Sequence, residues 1–190
     1  VVLGRTSPWI SADFPGRACD LIDQYLPDTQ SMFFMGASGH SQPWISTQED
    51  PAKLEPVARA AASFVALLAE GTRPLADHLR LSVSHGEVET GAGKLGLTVI
   101  SLGGIRLMAV PVELFEELSL DLRRRSKGPV FLMTLANGWN EYLPDRAAFA
   151  EGAYEVEAAV SQGYKPGDGE ALVDALLKLA AQPTVDEAKR

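Results

Sequence analysis

The chain has 190 residues, a formal net charge of −8, 46% hydrophobic residues and 22% charged ones, the balance of an ordinary globular protein. That length supports one domain burying roughly 70% of its unfolded surface, and the negative balance argues against a nucleic-acid or anionic-membrane partner. A single cysteine, Cys19, excludes an internal disulfide and any C-x-x-C motif, and no apolar run approaches the about 20 residues of a transmembrane segment.

The chain opens on Val1-Val2-Leu3-Gly4, without methionine and in what reads as mid-strand. The protein's true N-terminus is therefore expected upstream, and the compartment stays open. Ile10 to Gly16 reads as strand end, turn and helix start, with Asp13 placed to cap a helix running to about Tyr25. Ser31-Met32-Phe33-Phe34-Met35 is a short continuous apolar run, the pattern of a strand buried on both faces. It ends in the glycine-rich loop Gly36 to Pro43. From Pro51 to about Ala69, Leu54, Val57, Ala61, Phe64, Val65 and Leu68 recur at helical spacing and predict an amphipathic helix.

From Leu79 the period becomes two, with Leu79, Leu81 and Val83 as the apolar side of a half-buried strand. Leu97–Leu102 and Ile105–Val110 flank Gly103-Gly104, a two-residue hairpin signal. A helix is predicted from about Val112 to Arg125, where Arg123-Arg124-Arg125 complements the dipole at its C-terminal end. Pro129–Leu135 reads as another buried strand, Asp145 to about Phe149 as a short helix and Gly169–Ala181 as a last amphipathic one. Together these predict an α/β fold, a mixed β-sheet with helices packed on its faces. A single domain is expected over residues 1–182, part of a larger catalytic domain, with a flexible tail over 183–190.

Gly91-Ala92-Gly93-Lys94-Leu95-Gly96 spells G-x-G-x-x-G, but a strand rather than a helix follows it, so it reads as a turn and not as a dinucleotide site. Cys19 reads as a small core residue, and His78 and His85, flanking the strand, as loop or surface histidines. His40 lies in the loop where a buried strand ends, where glycines let backbone approach a ligand. Ser38 and Ser41 beside it raise a serine-esterase alternative, although Gly36 to His40 is not a nucleophile elbow. Glu113 follows an apolar strand and Pro111, and Tyr142 lies in the loop after the next strand. Strand ends at one edge of an open α/β sheet are where ligands and metals are held. The alternative for Glu113 is a favourable interaction with its own helix dipole, and for Tyr142 a place on the rim.

Gly103 to Glu155 resembles the distal part of the neutral/alkaline, non-lysosomal ceramidase catalytic domain, and is nearest to its bacterial ceramidase-like members. The likeness is carried by Gly103-Gly104-Ile105-Arg106-Leu107-Met108-Ala109-Val110-Pro111-Val112-Glu113, by Ala136-Asn137-Gly138-Trp139 through Tyr142, and by Tyr154-Glu155. Ser11 to Gly16 and Phe34 to Gly39 also look like segments of that family. The resemblance implies that Glu113 and Tyr142 are ligands of a catalytic Zn2+ and that Tyr154 lines the site near the scissile amide. It implies two further histidine ligands, the second in a His-Pro-Val-Val-Leu-Gly-like run, and these are expected ahead of Val1 in the N-terminal remainder of the same domain. The family's Gly-Asp-x-Ser-Pro or Gly-Asp-x-Asn-Pro loop here reads Gly39-His40-Ser41-Gln42-Pro43. His40 stands in place of the aspartate and Gln42 in place of the proposed catalytic serine.

The implied activity is zinc-dependent hydrolysis of a linear amide in a small-molecule or lipid substrate such as an N-acyl lipid. Such a metal polarises the carbonyl and activates water, Tyr154 donates to the oxyanion, His40 accepts a proton and Gln42 orients water or the amide. Two ligands alone leave the metal too exposed, so the 190 residues are expected to be inactive by themselves. The alternative function is a catalytically degenerate ceramidase-like domain kept for binding or scaffolding.

Overall fold

The computed structural model describes residues 1–72 and 79–182. The histidine at 78 and the tail over 183–190 lie outside them. The described residues divide into two compact units, a smaller one of residues 1–34 and 42–72 and a larger one of residues 35–41 and 79–182.

In the smaller unit, α1 (Asp13–Tyr25) packs on α2 (Leu54–Ala69), which a short 3-10 turn at Pro51–Lys53 introduces. Their seam is Ala18, Leu21 and Ile22 against Ala58 and Ala62. Alanines there let the two backbones approach closely, and Arg17 Nε clamps the pair by donating to Glu55 Oε2 at 2.8 Å. Helical periodicity locates α2, but its buried side is Val57, Ala58 and Ala62, while Phe64, Leu67 and Leu68 are exposed. The small residues, and not the bulky ones, mark the seam.

Asp13 is the first residue of α1 and not its cap; the cap position is Ala12, which has no side-chain cap bond. The Asp13 carboxylate accepts from the backbone N–H groups of Val2, Leu3 and Phe14, at 2.8, 2.8 and 2.7 Å, tying the first residues to the start of α1. Burial pushes its pKa up, but these three donors outweigh that and hold the carboxyl below its usual range. The expected strand at Val1 is a single bridge, Leu3 to Gln48. No strand forms over Ser31–Met35 either, and Met32, Phe33 and Phe34 are exposed. Among the described residues, Met35 is the member of this run with a backbone partner, accepting from Thr134 N–H at 2.9 Å. An apolar run without a ladder beside it does not become a strand.

The larger unit is a mixed α/β structure. Its four-stranded sheet has the order β1 (Leu81–Thr90), β2 (Gly93–Leu102), β3 (Ile105–Ala109), β5 (Val130–Met133). The first two pairings are antiparallel and the last parallel. The hairpin at Gly103-Gly104 forms as its glycines require, both at positive φ (54° and 94°). The G-x-G-x-x-G run is the β1–β2 turn and the start of β2. Leu95, Leu97, Val99, Met108 and Val110 form a core with Leu118 and Leu122 of α3 (Glu116–Arg125) and Leu172, Val173 and Leu176 of α6 (Asp168–Ala180).

The alternation in β1 is right but its sense is inverted. Leu81 and Val83 are exposed, at 63% and 48%, and the Ser82, Ser84 and Gly86 side faces α6. His85 sits within this strand rather than beside it. A second, two-stranded parallel sheet joins β4 (Glu113–Leu114) to β6 (Tyr142–Leu143). The short α4 (Arg146–Glu151) is capped by Asp145, which accepts from Ala147 and Ala148 N–H, and α5 (Tyr154–Gln162) follows it.

Candidate functional site

The segments around Glu113 and Tyr142 are sewn together by their backbones. Glu113 and Tyr142 are register partners in the β4–β6 ribbon, so their side chains leave the same face of strands about 4.8 Å apart. Glu113 N–H donates to Glu141 O at 2.9 Å, and Phe115 N–H to Leu143 O at 3.2 Å. The expected helix start at Val112 is therefore wrong. Glu113 lies on a strand, and Glu116 and Glu117 hold the first turn of α3. The two-residue strand β4 takes the place of the expected first helical turn, and this removes the helix-dipole role for Glu113.

The loop from Leu135 to Glu141 is held in a costly shape. Leu135, Asn137 and Glu141 have φ of 54°, 64° and 59°, a region unfavourable for Leu and Glu. Several bonds enforce it. Ala136 N–H donates to Val110 O at 3.0 Å and Asn140 N–H to Pro111 O at 2.7 Å. Buried Tyr164 donates its hydroxyl to Asn140 O at 2.8 Å. The result presents Trp139, whose Nε1–H reaches Glu113 Oε1 at 3.4 Å. Tyr154, at the start of α5, meets Tyr142 edge-on with ring centroids 6.1 Å apart.

Negative charge accumulates at this cluster. Burial raises the Glu113 pKa, the Trp139 N–H partly opposes it, and Glu141 and Glu155 raise it further. Burial also raises the Tyr142 phenol, followed by the charge of Glu113 and then by Tyr154, Glu155 and Glu141. A cation between the two oxygens would relieve both shifts, so this donor pair suits a hard or borderline metal. Among the described residues, no three His, Cys, Asp or Glu side chains gather into a metal-binding group. The described residues therefore form no complete metal site around Glu113 and Tyr142.

His40 reaches this neighbourhood by its backbone. Gly39 N–H donates to Leu114 O at 3.0 Å, and a Cβ on Gly39 would stand 2.7 Å from Glu113 O, so the loop lies directly on β4. The His40 ring stacks on Phe115 at 4.4 Å and its Nε2 meets Glu117 Oε2 at 3.3 Å. Ser38 Oγ is buried without a hydrogen-bond partner, so the serine–histidine contact of an esterase is not formed. Gln42 is exposed and belongs to the smaller unit. Behind the Asn137–Asn140 loop, a cleft of about 590 Å³ is lined by His85, Glu87, Thr98, Pro111, Asn137 and Asn140. There Asn137 Nδ2 donates to Thr98 Oγ1 at 3.4 Å, and His85 Nδ1 lies 3.2 Å from the same hydroxyl.

Sequence reasoning missed Trp139 as the donor to Glu113, Glu155 and Glu141 as its electrostatic neighbours, and Tyr164 as the loop's brace. Trp139 had a usable signal, an indole N–H in a polar loop three residues before Tyr142.

The architecture defines a class, an α/β fold built on a mixed sheet with helices. Within that class the chain shares the fold of the neutral ceramidase from Pseudomonas aeruginosa, with a TM-score of 0.70 at 12% identity over 90% of this chain. The chain spans 40% of the length of that structure. A second structure, a ceramidase complexed with C2, aligns over 83% of this chain and 27% of its own at 16% identity and a TM-score of 0.42. No protein-family model matches the chain, and no curated protein matches it in sequence. No helix among the described residues is long and apolar enough to cross a membrane.

Proposed function

We propose that this chain is part of a hydrolase of the neutral-ceramidase type, which cleaves a linear amide in an N-acyl lipid or related small molecule. The observation that carries the reading is the pairing of Glu113 with Tyr142 in one ribbon, with Trp139 donating to the carboxylate. The fold shared with the Pseudomonas ceramidase supports it.

Glu113 and Tyr142 would hold Zn2+ through two oxygens, with the remaining ligands supplied by other residues of the full protein. When bound, such a metal supplies Lewis-acid polarisation of the amide carbonyl and a more acidic water. The chain's own residues do the rest. Trp139 fixes one carboxylate oxygen of Glu113, leaving the other to face the cation. Tyr154 stands against Tyr142 and is 71% exposed, available to donate a hydrogen bond to developing negative charge. His40, oriented by Phe115 and Glu117, is the proton acceptor of this scheme.

The test is zinc content and amidase activity of the full protein containing this chain, with Glu113→Ala and Tyr142→Phe. The expected result is stoichiometric zinc in the wild type and its loss, with activity, in both variants while thermal stability is retained. Undiminished zinc in both variants refutes the ligand assignment. Absence of zinc from the wild type, with both variants as stable as it, favours a binding or scaffolding domain instead.

A further inference from the structure

The helix-covered face of the larger sheet changes character at one end. Along most of its length it carries Leu95, Leu97, Val99, Met108 and Val110, all buried. One rung on, the cross-strand neighbours are Ser82, Ser101 and Arg106, in direct register across β1, β2 and β3. Ser84 lies two residues along β1 on the same side. Polar side chains at core-facing positions call for partners, and the last turn of α6 offers them only Leu179 and Ala180. The helix ends at Ala180, and beside its last turn a cavity of about 220 Å³ remains. Its walls include Arg80, Ser82, Ser84, Ser101, Arg106 and Leu179.

Arg106 Nε is buried and has no hydrogen-bond partner. A buried guanidinium N–H without an acceptor bears its desolvation cost unrelieved, and an anionic acceptor would remove that cost. Among the described residues, the cavity walls include the Arg106 guanidinium and three serine hydroxyls and no carboxylate, in a chain whose overall charge is −8. The C-terminal end of α6 contributes a partial negative charge at this wall. That opposes an anion only weakly, because Ala181 N–H already engages the carbonyls of Leu177 and Lys178.

We infer that this cavity is an anion site that takes a phosphate group, held by the Arg106 guanidinium and the hydroxyls of Ser82, Ser84 and Ser101. A planar fork of N–H donors matches two oxygens of one phosphate. Hydroxyls from two neighbouring strands can serve the remaining oxygens, which a carboxylate lacks. The volume suits the phosphate itself or the end of a phosphomonoester. The site is separate from the Glu113–Tyr142 cluster and stands or falls without it.

The experiment is titration of the 190-residue protein with inorganic phosphate, and separately with glycerol 3-phosphate, following Arg106 Nε–H by 1H–15N NMR. That resonance is identified by its absence from Arg106→Gln. The expected result is a saturable shift of the Arg106 signal in the wild type and, by isothermal titration calorimetry, an affinity weakened about tenfold or more in Arg106→Gln, as for loss of one charge-assisted pair, and less in Ser101→Ala. Tighter binding of glycerol 3-phosphate identifies a phosphomonoester as the ligand, and equal binding identifies free phosphate. An Arg106 signal indifferent to both compounds overturns the inference. So does an affinity unchanged in Ser101→Ala, a variant small enough to fold, together with Arg106→Gln.

Discussion

Replacing Gly39 by alanine tests whether the His40 loop is seated on β4. A Cβ at 39 would lie 2.6 Å from Phe115 Cδ1, 2.7 Å from Glu113 O and 3.0 Å from Leu114 C. Two of these atoms are backbone, so no side-chain rotation relieves the contact, and either the loop lifts or β4 moves. Overpacking of this kind costs about 1–3 kcal/mol. The Gly39 N–H to Leu114 O bond, lost if the loop lifts, adds about 0.5–1.5 kcal/mol. For a protein of this size the sum lowers Tm by on the order of 10 °C. At Gly36, in the same loop, an added methyl would meet nothing within 4 Å, so Gly36→Ala is the internal control and should leave Tm within about 1–2 °C. Thermal unfolding by circular dichroism reads both variants. If Gly39→Ala melts with the wild type, or Gly36→Ala is equally damaging, the loop does not rest on the strand that carries Glu113.

Two pH-dependent effects follow from buried donors and acceptors. Asp13→Asn removes a carboxylate that accepts three backbone N–H bonds and should destabilise the fold by about 1–3 kcal/mol at neutral pH. Because the folded-state pKa is lowered, the wild type holds this advantage above the ordinary aspartate range and loses it as pH falls through the folded value. Urea midpoints that keep the same gap between the two proteins down to strongly acidic pH would contradict this. Tyr164→Phe leaves Asn140 O without its donor and should cost about 1 kcal/mol. Burial, then the charges of Asp168 and Glu141, push the Tyr164 phenol up to about 12. Its contribution is therefore whole below the unfolded value of about 10 and disappears as pH rises toward 12. The variant should show a flatter alkaline profile than the wild type, and identical profiles would refute the buried hydroxyl.

Features set by local chemistry were readable from the residues. The Gly103-Gly104 hairpin is one, because only glycine takes both positive-φ positions easily. The helix ending at Ala69 and the last amphipathic helix are others, their periods running over three turns or more. Facing was not readable. The seam of α2 is made of alanines, and the apolar positions of β1 point away from α6, because burial depends on which neighbour arrives and not on which residue is most apolar. The two-residue strands β4 and β6 are too short to show a period at all, and Glu113 therefore read as helical. Glu113 and Tyr142 were legible as strand-end residues. The Trp139 bond that orients the carboxylate was not, since it depends on a loop bent through left-handed backbone at Leu135, Asn137 and Glu141.

The β4–β6 ribbon also bears on when this region takes shape. Its partners lie 29 positions apart in the chain, with α3 and β5 between them, and only two residues of each strand share the gain from bringing them together. Closing a segment of roughly thirty residues carries an entropic toll that so brief a ladder cannot offset until the intervening helix and strand are already in place. Leu114 and Leu143, both fully buried in the core, tie the ribbon to that packing, so Glu113 and Tyr142 are held together by the core as much as by their own ladder.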